Sequence, residues 1–404
     1  MSQTHIYYNV DLVNNQTVDY RNQPILSYQE NRDQPILENA QDYYFSIIRF
    51  ELNGLGRNIP LCIPVIEEGD KNPTSDVNQT IYRVGVMYNS LDGNGNHRQN
   101  FSVKTVMFEP QDKSIDAPIS PNNYSNDYYF VHSYDHFVKL VNKALKSAND
   151  EASSLNGDIS KRNPPMINYN VDSGNFDLYL DANGYGRKYE NYVGNNDSKC
   201  RLFFNSNMYN LFANYPHDYL GGDVKNSIGF FDSNASINAN AMSYVNIPEC
   251  AYDIYPEKNQ LNEVNNNVVL VKQEFESTSS FWSPVSSLTF TSNIIPISPE
   301  MTGKPTEFKD SGITHSNDNK NDYRKIITDM VVPLGSADVY KKTITYYPSG
   351  EYRLSEFTSA RFDLRHIGIE GFYKLRRTGA LVPLKLPNQA SCSFKILFKH
   401  KSVV

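Results

Sequence analysis

"NQASCSFKILFKHKSVV" (388–404) is the stretch on which the fold turns. Ala390, Cys392, Phe394, Ile396 and Phe398 fall on one side, and Ser391, Ser393, Lys395, Leu397 and Lys399 on the other. A period of two is the mark of a strand with one buried face. Moving upstream, "ALVPLKL" (380–386) precedes a turn at Pro387-Asn388-Gln389, and "RHIGIEGFYKL" (365–375) precedes a turn at Arg377-Thr378-Gly379. This C-terminal part predicts a meander of three strands. Similar runs recur at "DYYFSIIRFEL" (42–52), "IPLCIPVI" (59–66), "NFDLYLDANG" (175–184), "SPVSSLTFTSNIIPI" (283–297) and "KIITDMVVPL" (325–334). Two further runs flank "LDGNGNHR" (91–98), the signature of a hairpin.

One segment has a different period. In "SYDHFVKLVNKALKSA" (133–148), Phe137, Leu140, Val141, Ala144 and Leu145 repeat at helical spacing. Ser133 suits the N-cap and Asp135 the positive end of the helix dipole. Many short strands and one helix at 133–148 predict a mainly β chain, a sandwich or jelly roll rather than a parallel α/β fold. The expected division is an extended N-terminal arm (1–40) lying on a neighbour, a first sandwich with the helical insertion (41–200) and a second sandwich (201–404). The repeated Gln-Pro-Ile-Leu at 23–26 and 34–37 is assigned to the arm. Asp92–Gln99 and Glu300–Asn321 are expected as exposed loops.

Tyr (29) and Phe (21) are abundant, while Trp occurs once, so the chain has ample apolar surface to bury. The formal net charge is −7. It is uneven: residues 351–404 carry ten Lys and Arg against four Asp and Glu. Cys62, Cys200, Cys250 and Cys392 lie far apart and form no metal or redox spacing. No run of apolar residues is long enough to span a membrane, and the first residues lack the features of a signal peptide.

Enzyme motifs fail one by one. There is no phosphate loop, no His-Glu-x-x-His and no nucleophile elbow, and "GYGRKY" (184–189) leads into no helical run. "DGNGNH" (92–97) begins like a calcium loop, but His97 stands where Gly is needed and Val103 where a bidentate Glu is needed. His132 and His136 could share a helix face but have no third ligand in the sequence. No catalytic residue, metal or cofactor is expected. What remains is a basic set: Lys374, Arg376, Arg377, Lys385, Lys395, Lys399 and Lys401. Such a set can neutralise the phosphates of a nucleic acid, or guard a sheet edge against aggregation.

In segment order and texture the chain resembles the jelly-roll capsid proteins of eukaryotic DNA viruses, those of the virophage and polinton-like group. The segments that carry it are "QPILENAQDYYFSIIRFEL" (34–52), "YYFVHSYDHFVKLVNKAL" (128–145), "FWSPVSSLTFTSNIIPISPE" (281–300), "YYPSGEYRLSEF" (346–357) and the run from Leu364 to Lys401. The resemblance implies a structural protein of the virion, made in the host cytoplasm, that self-assembles into trimeric or pentameric capsomers of an icosahedral shell. It implies contacts with other capsid proteins and, through the basic C-terminal face, with packaged nucleic acid. It also implies a double jelly roll, with a single roll carrying large insertions as the alternative. A β-sandwich module for host attachment or glycan binding, and a β-rich enzyme, are the competing classes.

Overall fold

The structure is a computed structural model. It describes residues 4–18, 22–53, 78–91, 97–118, 127–154, 163–185, 199–219, 250–255, 268–273, 282–302, 307–309, 312–314, 322–331, 343–348, 352–376 and 379–403. The run at 59–66, the loop at 92–96, Cys62 and Arg377 therefore lie outside the described residues.

The chain opens with β1 (His5–Val13), β2 (Ser27–Asn31) and β3 (Tyr43–Asn53). Next come β4 (Gln79–Leu91), β5 (His97–Met107), α1 (Tyr134–Ser154), β6 (Met166–Tyr169), β7 (Phe176–Asp181) and α2 (Ala182–Tyr185). They are followed by β8 (Lys199–Phe204), α3 (Ser206–Leu211), β9 (His217–Tyr219), β10 (Tyr252–Ile254) and β11 (Val268–Val271). After these stand β12 (Val285–Thr291), β13 (Glu300–Thr302), β14 (Glu307–Lys309), β15 (Gly312–Thr314), β16 (Asp322–Arg324) and β17 (Ile326–Met330). The closing strands are β18 (Thr343–Tyr346), β19 (Ser355–Glu356), β20 (His366–Leu375), β21 (Leu381–Pro383) and β22 (Ser391–His400).

Two compact units result: Met1–Leu61 with Ser283–Val404, and Cys62–Trp282. The units are nested, and this corrects the sequential division at residues 40 and 200. In the first unit one antiparallel sheet runs β1-β22-β3-β18 and the other β17-β12-β20-β2. Counting only these eight strands in chain order, the sheets read 1-8-3-6 and 5-4-7-2. That interleaving is the eight-stranded jelly roll. One unit thus completes one roll, and the second unit is inserted between its third and fourth strands. Among the described residues this is the single roll with a large insertion, and the sheets of the inserted unit do not have the strand order of a second roll. The reason is that the roll's first three strands find their partners beyond residue 283, not in the residues that follow them.

The N-terminal forty residues are therefore no arm. The Ile6, Tyr8, Val10 and Leu12 side of β1 alternates with exposed residues, and every residue of β1 pairs with β22. Both Gln-Pro-Ile-Leu segments place a leucine in the core: Leu26 and Leu37 are buried, and bridges Ile25–Lys385 and Leu37–Leu364 tie the segments down. The inner faces of the two sheets meet through aromatic rings. Phe290 of β12 lies 4.7 Å from Phe50 of β3 and 5.3 Å from Phe394 of β22. Gly371 of β20 is needed for close approach, because a Cβ there would lie 2.5 Å from Leu26 Cδ2. The expected meander holds for β20 and β21, which pair. It fails for β22, which crosses to the other sheet and becomes its inner strand, between β1 and β3. Part of the loop expected at 300–321 is structured: β13 pairs β16, and β14 pairs β15.

The second unit has a sheet of order β5-β4-β8-β10-β9 and another of order β11-β7-β6. The β4–β5 hairpin is as expected, with Leu91 opposite His97. α1 packs on β4, β5 and β6 and buries Phe137, Leu140, Val141, Ala144 and Leu145. Ser133 Oγ accepts the His136 N–H at 3.1 Å, the anticipated cap. The helix continues past 148 to Ser154, because Asn149 is buried there and accepts hydrogen bonds from the hydroxyls of Tyr88 (3.0 Å) and Tyr185 (2.8 Å). Trp282 stacks on Phe176 at 4.5 Å and donates its indole N–H to Leu211 O.

Candidate functional site: the basic strand and the two sides of the roll

The basic residues singled out in the sequence do not share one face. Lys395 and Lys399 stand on the outer side of β22, opposite the buried Phe394, Ile396 and Phe398. Lys374 stands on the outer side of β20, in the other sheet, with Arg376 exposed just beyond it and Lys385 just after β21. The outer faces of a sandwich look in opposite directions, so the set is split. β22 is also an inner strand of its sheet, so its lysines guard no edge. What surrounds them is aromatic: Lys395 Nζ lies 5.1 Å from the centre of the Tyr7 ring, and Lys401 Nζ 5.3 Å from that of Tyr44. Lys399 is buried, and Lys401 stands 4.0 Å from Glu356.

Register adds a cation that the sequence did not nominate. Arg49 of β3 sits directly across from Lys395, and its buried Nε has no hydrogen-bond partner. The signal is invisible locally, because "FSIIRFEL" gives no hint that Arg49 meets residue 395. A shift in register just after Lys395 turns Arg49 to the outer side alongside it.

The two long sides of the roll, where the edges of the sheets come together, are each closed by tyrosines. On one side Tyr8 of β1 and Tyr28 of β2 both donate to Glu30 Oε2, and Arg32 donates to Glu30 Oε1. Arg32 also lies 5.5 Å over the Tyr8 ring. These donors, first Tyr28 and then Tyr8, hold the Glu30 carboxyl down at about 2. Burial and the Glu30 bond push the Tyr28 phenol well up. On the other side Tyr346 of β18 donates to the Asp329 carbonyl of β17, and Tyr352 to the Asp329 carboxylate. Arg353 reaches Asp329 at 3.2 Å and Glu300 at 2.6 Å.

Among the described residues no three His, Cys, Asp or Glu side chains gather as metal ligands. The ring of His136 bonds to the Glu109 carbonyl at 2.7 Å. Cys200, Cys250 and Cys392 are buried, and burial pushes the Cys392 thiol up. No helix of the described residues is long and apolar enough to cross a membrane.

The family model described as Sputnik minor capsid protein V18/19 matches residues 6–400. The chain belongs to the V18/19 minor capsid protein family. Protein V18 of Sputnik virophage is 33% identical over 135 residues, which cover 31% of this chain and 72% of V18. A chain of the Sputnik virophage cryo-EM structure aligns over 100% of this chain and 99% of its own, with a TM-score of 0.72 at 21% identity. The mavirus penton protein aligns over 98% of this chain and 99% of its own, with a TM-score of 0.56 at 15% identity. The resemblance carried by the sequence thus points to the right group. As a V18/19 family member the chain is a structural subunit of a virus capsid, and its place is the virion, among other capsid proteins.

Proposed function

We propose that this chain is the vertex subunit of its shell and assembles as a ring of five. The observation that carries this reading is the single roll. A pseudo-hexagonal capsomer built from three chains needs two rolls in each chain, whereas a five-fold ring is filled by one roll per chain. Closed rings of identical subunits are made by heterologous contacts, each copy using two different surfaces. The likeness to a penton protein over nearly the whole chain supports the same reading. Native mass spectrometry of the purified protein tests it. The expected species is five times the 46.1 kDa chain. A species three times that mass, or a monomer at every concentration, refutes it.

Packaged nucleic acid is the proposed partner of the outer β1-β22-β3 face. Lys395 and Arg49 supply the cations there, and Tyr7, 55% exposed, supplies a ring on which a base can stack.

A further inference from the structure

We propose that the outer β1-β22-β3 face takes nucleic acid as a single strand in preference to a duplex, one phosphate and one base to each copy of the chain; this rests on the nucleic-acid reading of that face given above. The register of the three strands lays out what the face offers. Lys395 of β22 and Arg49 of β3 stand directly across from each other. One step along the same face, Ser393 lies between Asp11 of β1 and Glu51 of β3. One step the other way stands Tyr7 of β1, opposite Leu397. In rows two residues apart, the face therefore presents acid, base and ring.

Like charges at directly opposed positions of a sheet destabilise the pairing. Among the described residues no carboxylate neutralises this pair. The buried Nε of Arg49 has no hydrogen-bond partner, and Lys395 turns to the Tyr7 ring, whose centre lies 5.1 Å from Nζ. Glu51, one row away, accepts instead from the Asn53 amide at 3.1 Å. An anion held by both cations removes the repulsion and supplies the missing acceptor, and a phosphate matches the guanidinium fork. The row has room for one. Two residues of strand advance about 6.6 Å, so a second phosphate one row along meets Asp11 and Glu51, which repel it. A duplex binds by neutralising a run of phosphates on a fixed helical path, and the carboxylate row interrupts that run. Tyr7 supplies the other half of the preference. It is 55% exposed, and an unpaired nucleotide can lay its base on the ring, whereas the bases of a duplex are stacked on one another. A single strand can set one phosphate on the cations and the adjoining base on Tyr7.

The test measures the fluorescence anisotropy of a labelled oligothymidylate and of a DNA duplex of the same length, each titrated with the full chain over a range of salt concentrations. The variants are Tyr7→Ala, Tyr7→Phe and the pair Asp11→Asn with Glu51→Gln. All three positions are exposed or half-buried on the outer face, and circular dichroism melts verify that the roll is intact. For the wild type the expected result is single-strand binding about fivefold or more tighter than duplex binding, although the duplex carries twice the charge. Tyr7→Ala is expected to lose that advantage and Tyr7→Phe to keep it, because the ring remains. Asp11→Asn with Glu51→Gln is expected to narrow it by strengthening duplex binding. A wild-type chain that binds the duplex as tightly as the single strand, or an advantage unchanged in Tyr7→Ala, overturns the single-strand inference and leaves nucleic acid as the partner of this face. Binding of neither probe at low salt overturns both.

Discussion

Replacing Phe290 by alanine probes whether the two sheets of the roll depend on the rings that join them. Phe290 has no exposed surface and touches Phe50 and Phe394 of the opposite sheet at 4.7 and 5.3 Å. Truncating a fully buried Phe costs about 3–5 kcal/mol, because the transfer energy is lost and a cavity stays behind. For a unit of this size each kcal/mol lowers the melting temperature by about 2–4 °C, so a fall of about 6–20 °C is expected. Phe290→Leu keeps most of the volume and is expected to cost about 1.5 kcal/mol or less. Phe394→Ala combined with Phe290→Ala is expected to cost less than the sum of the two, by about 0.5–1.5 kcal/mol, since the ring pair is removed only once. The assay is thermal melting followed by far-ultraviolet circular dichroism at a protein concentration too low for assembly. A shift under about 2 °C for Phe290→Ala, or equal costs for Leu and Ala, refutes the view that these rings fill one well-packed interface.

Gly371→Ala is expected to destabilise the roll by about 1–3 kcal/mol through overpacking against Leu26, read from the same melts, and in a chain that already carries Leu26→Ala the same change is expected to cost less, because the crowding side chain is gone. Glu30→Gln tests the clasp between β1 and β2. The folded state holds this carboxyl at about 2, below its usual 4.5. Its stabilisation is therefore fully present above 4.5 and is lost as pH falls toward 2. The melting temperature of Glu30→Gln should lie below wild type at neutral pH, and the gap should close across that acid window; a gap independent of pH counts against the clasp. For the outer β1-β22-β3 face, Lys395→Glu with Arg49→Glu is expected to weaken binding of a short DNA duplex. It should also flatten the salt dependence, by a slope of about 0.9 for each phosphate that is no longer neutralised. Unchanged binding isotherms would remove nucleic acid as the partner of this face.

Much of the fold can be read locally because it is written locally. The alternation of β22, the start and cap of α1 and the β4–β5 hairpin each depend on residues within a few positions of one another. The capsid family can be read from the order of such segments. What escapes is whatever depends on distant pairing. β1 alternates as clearly as β22, yet "HIYYNVDLV" (5–13) reads as part of an arm, since nothing near it offers a partner. The end of α1 escapes because Asn149 looks polar, and only the hydroxyls of Tyr88 and Tyr185 explain its burial. In the candidate surfaces, the split of the basic set follows from β22 changing sheets. The pairing of Arg49 with Lys395, the Glu30 clasp and the network around Asp329 all join segments that the sequence keeps far apart.

The nested connectivity has a consequence for when this protein can become whole. Asn14 donates to the carbonyls of Leu386 and Pro387, 372 and 373 positions away, and β1 and β3 are joined in their sheet only through β22. On the ribosome the inserted unit is made in one continuous stretch and is free to fold first. The roll cannot close its sheet until β22 emerges, after the other described strands of the roll have been synthesised. Until then the apolar sides of β1 and β3 wait without the strand that lies between them. Pairings of such long sequence separation form slowly. A chain that stalls before β22 has no closed roll to offer a neighbour.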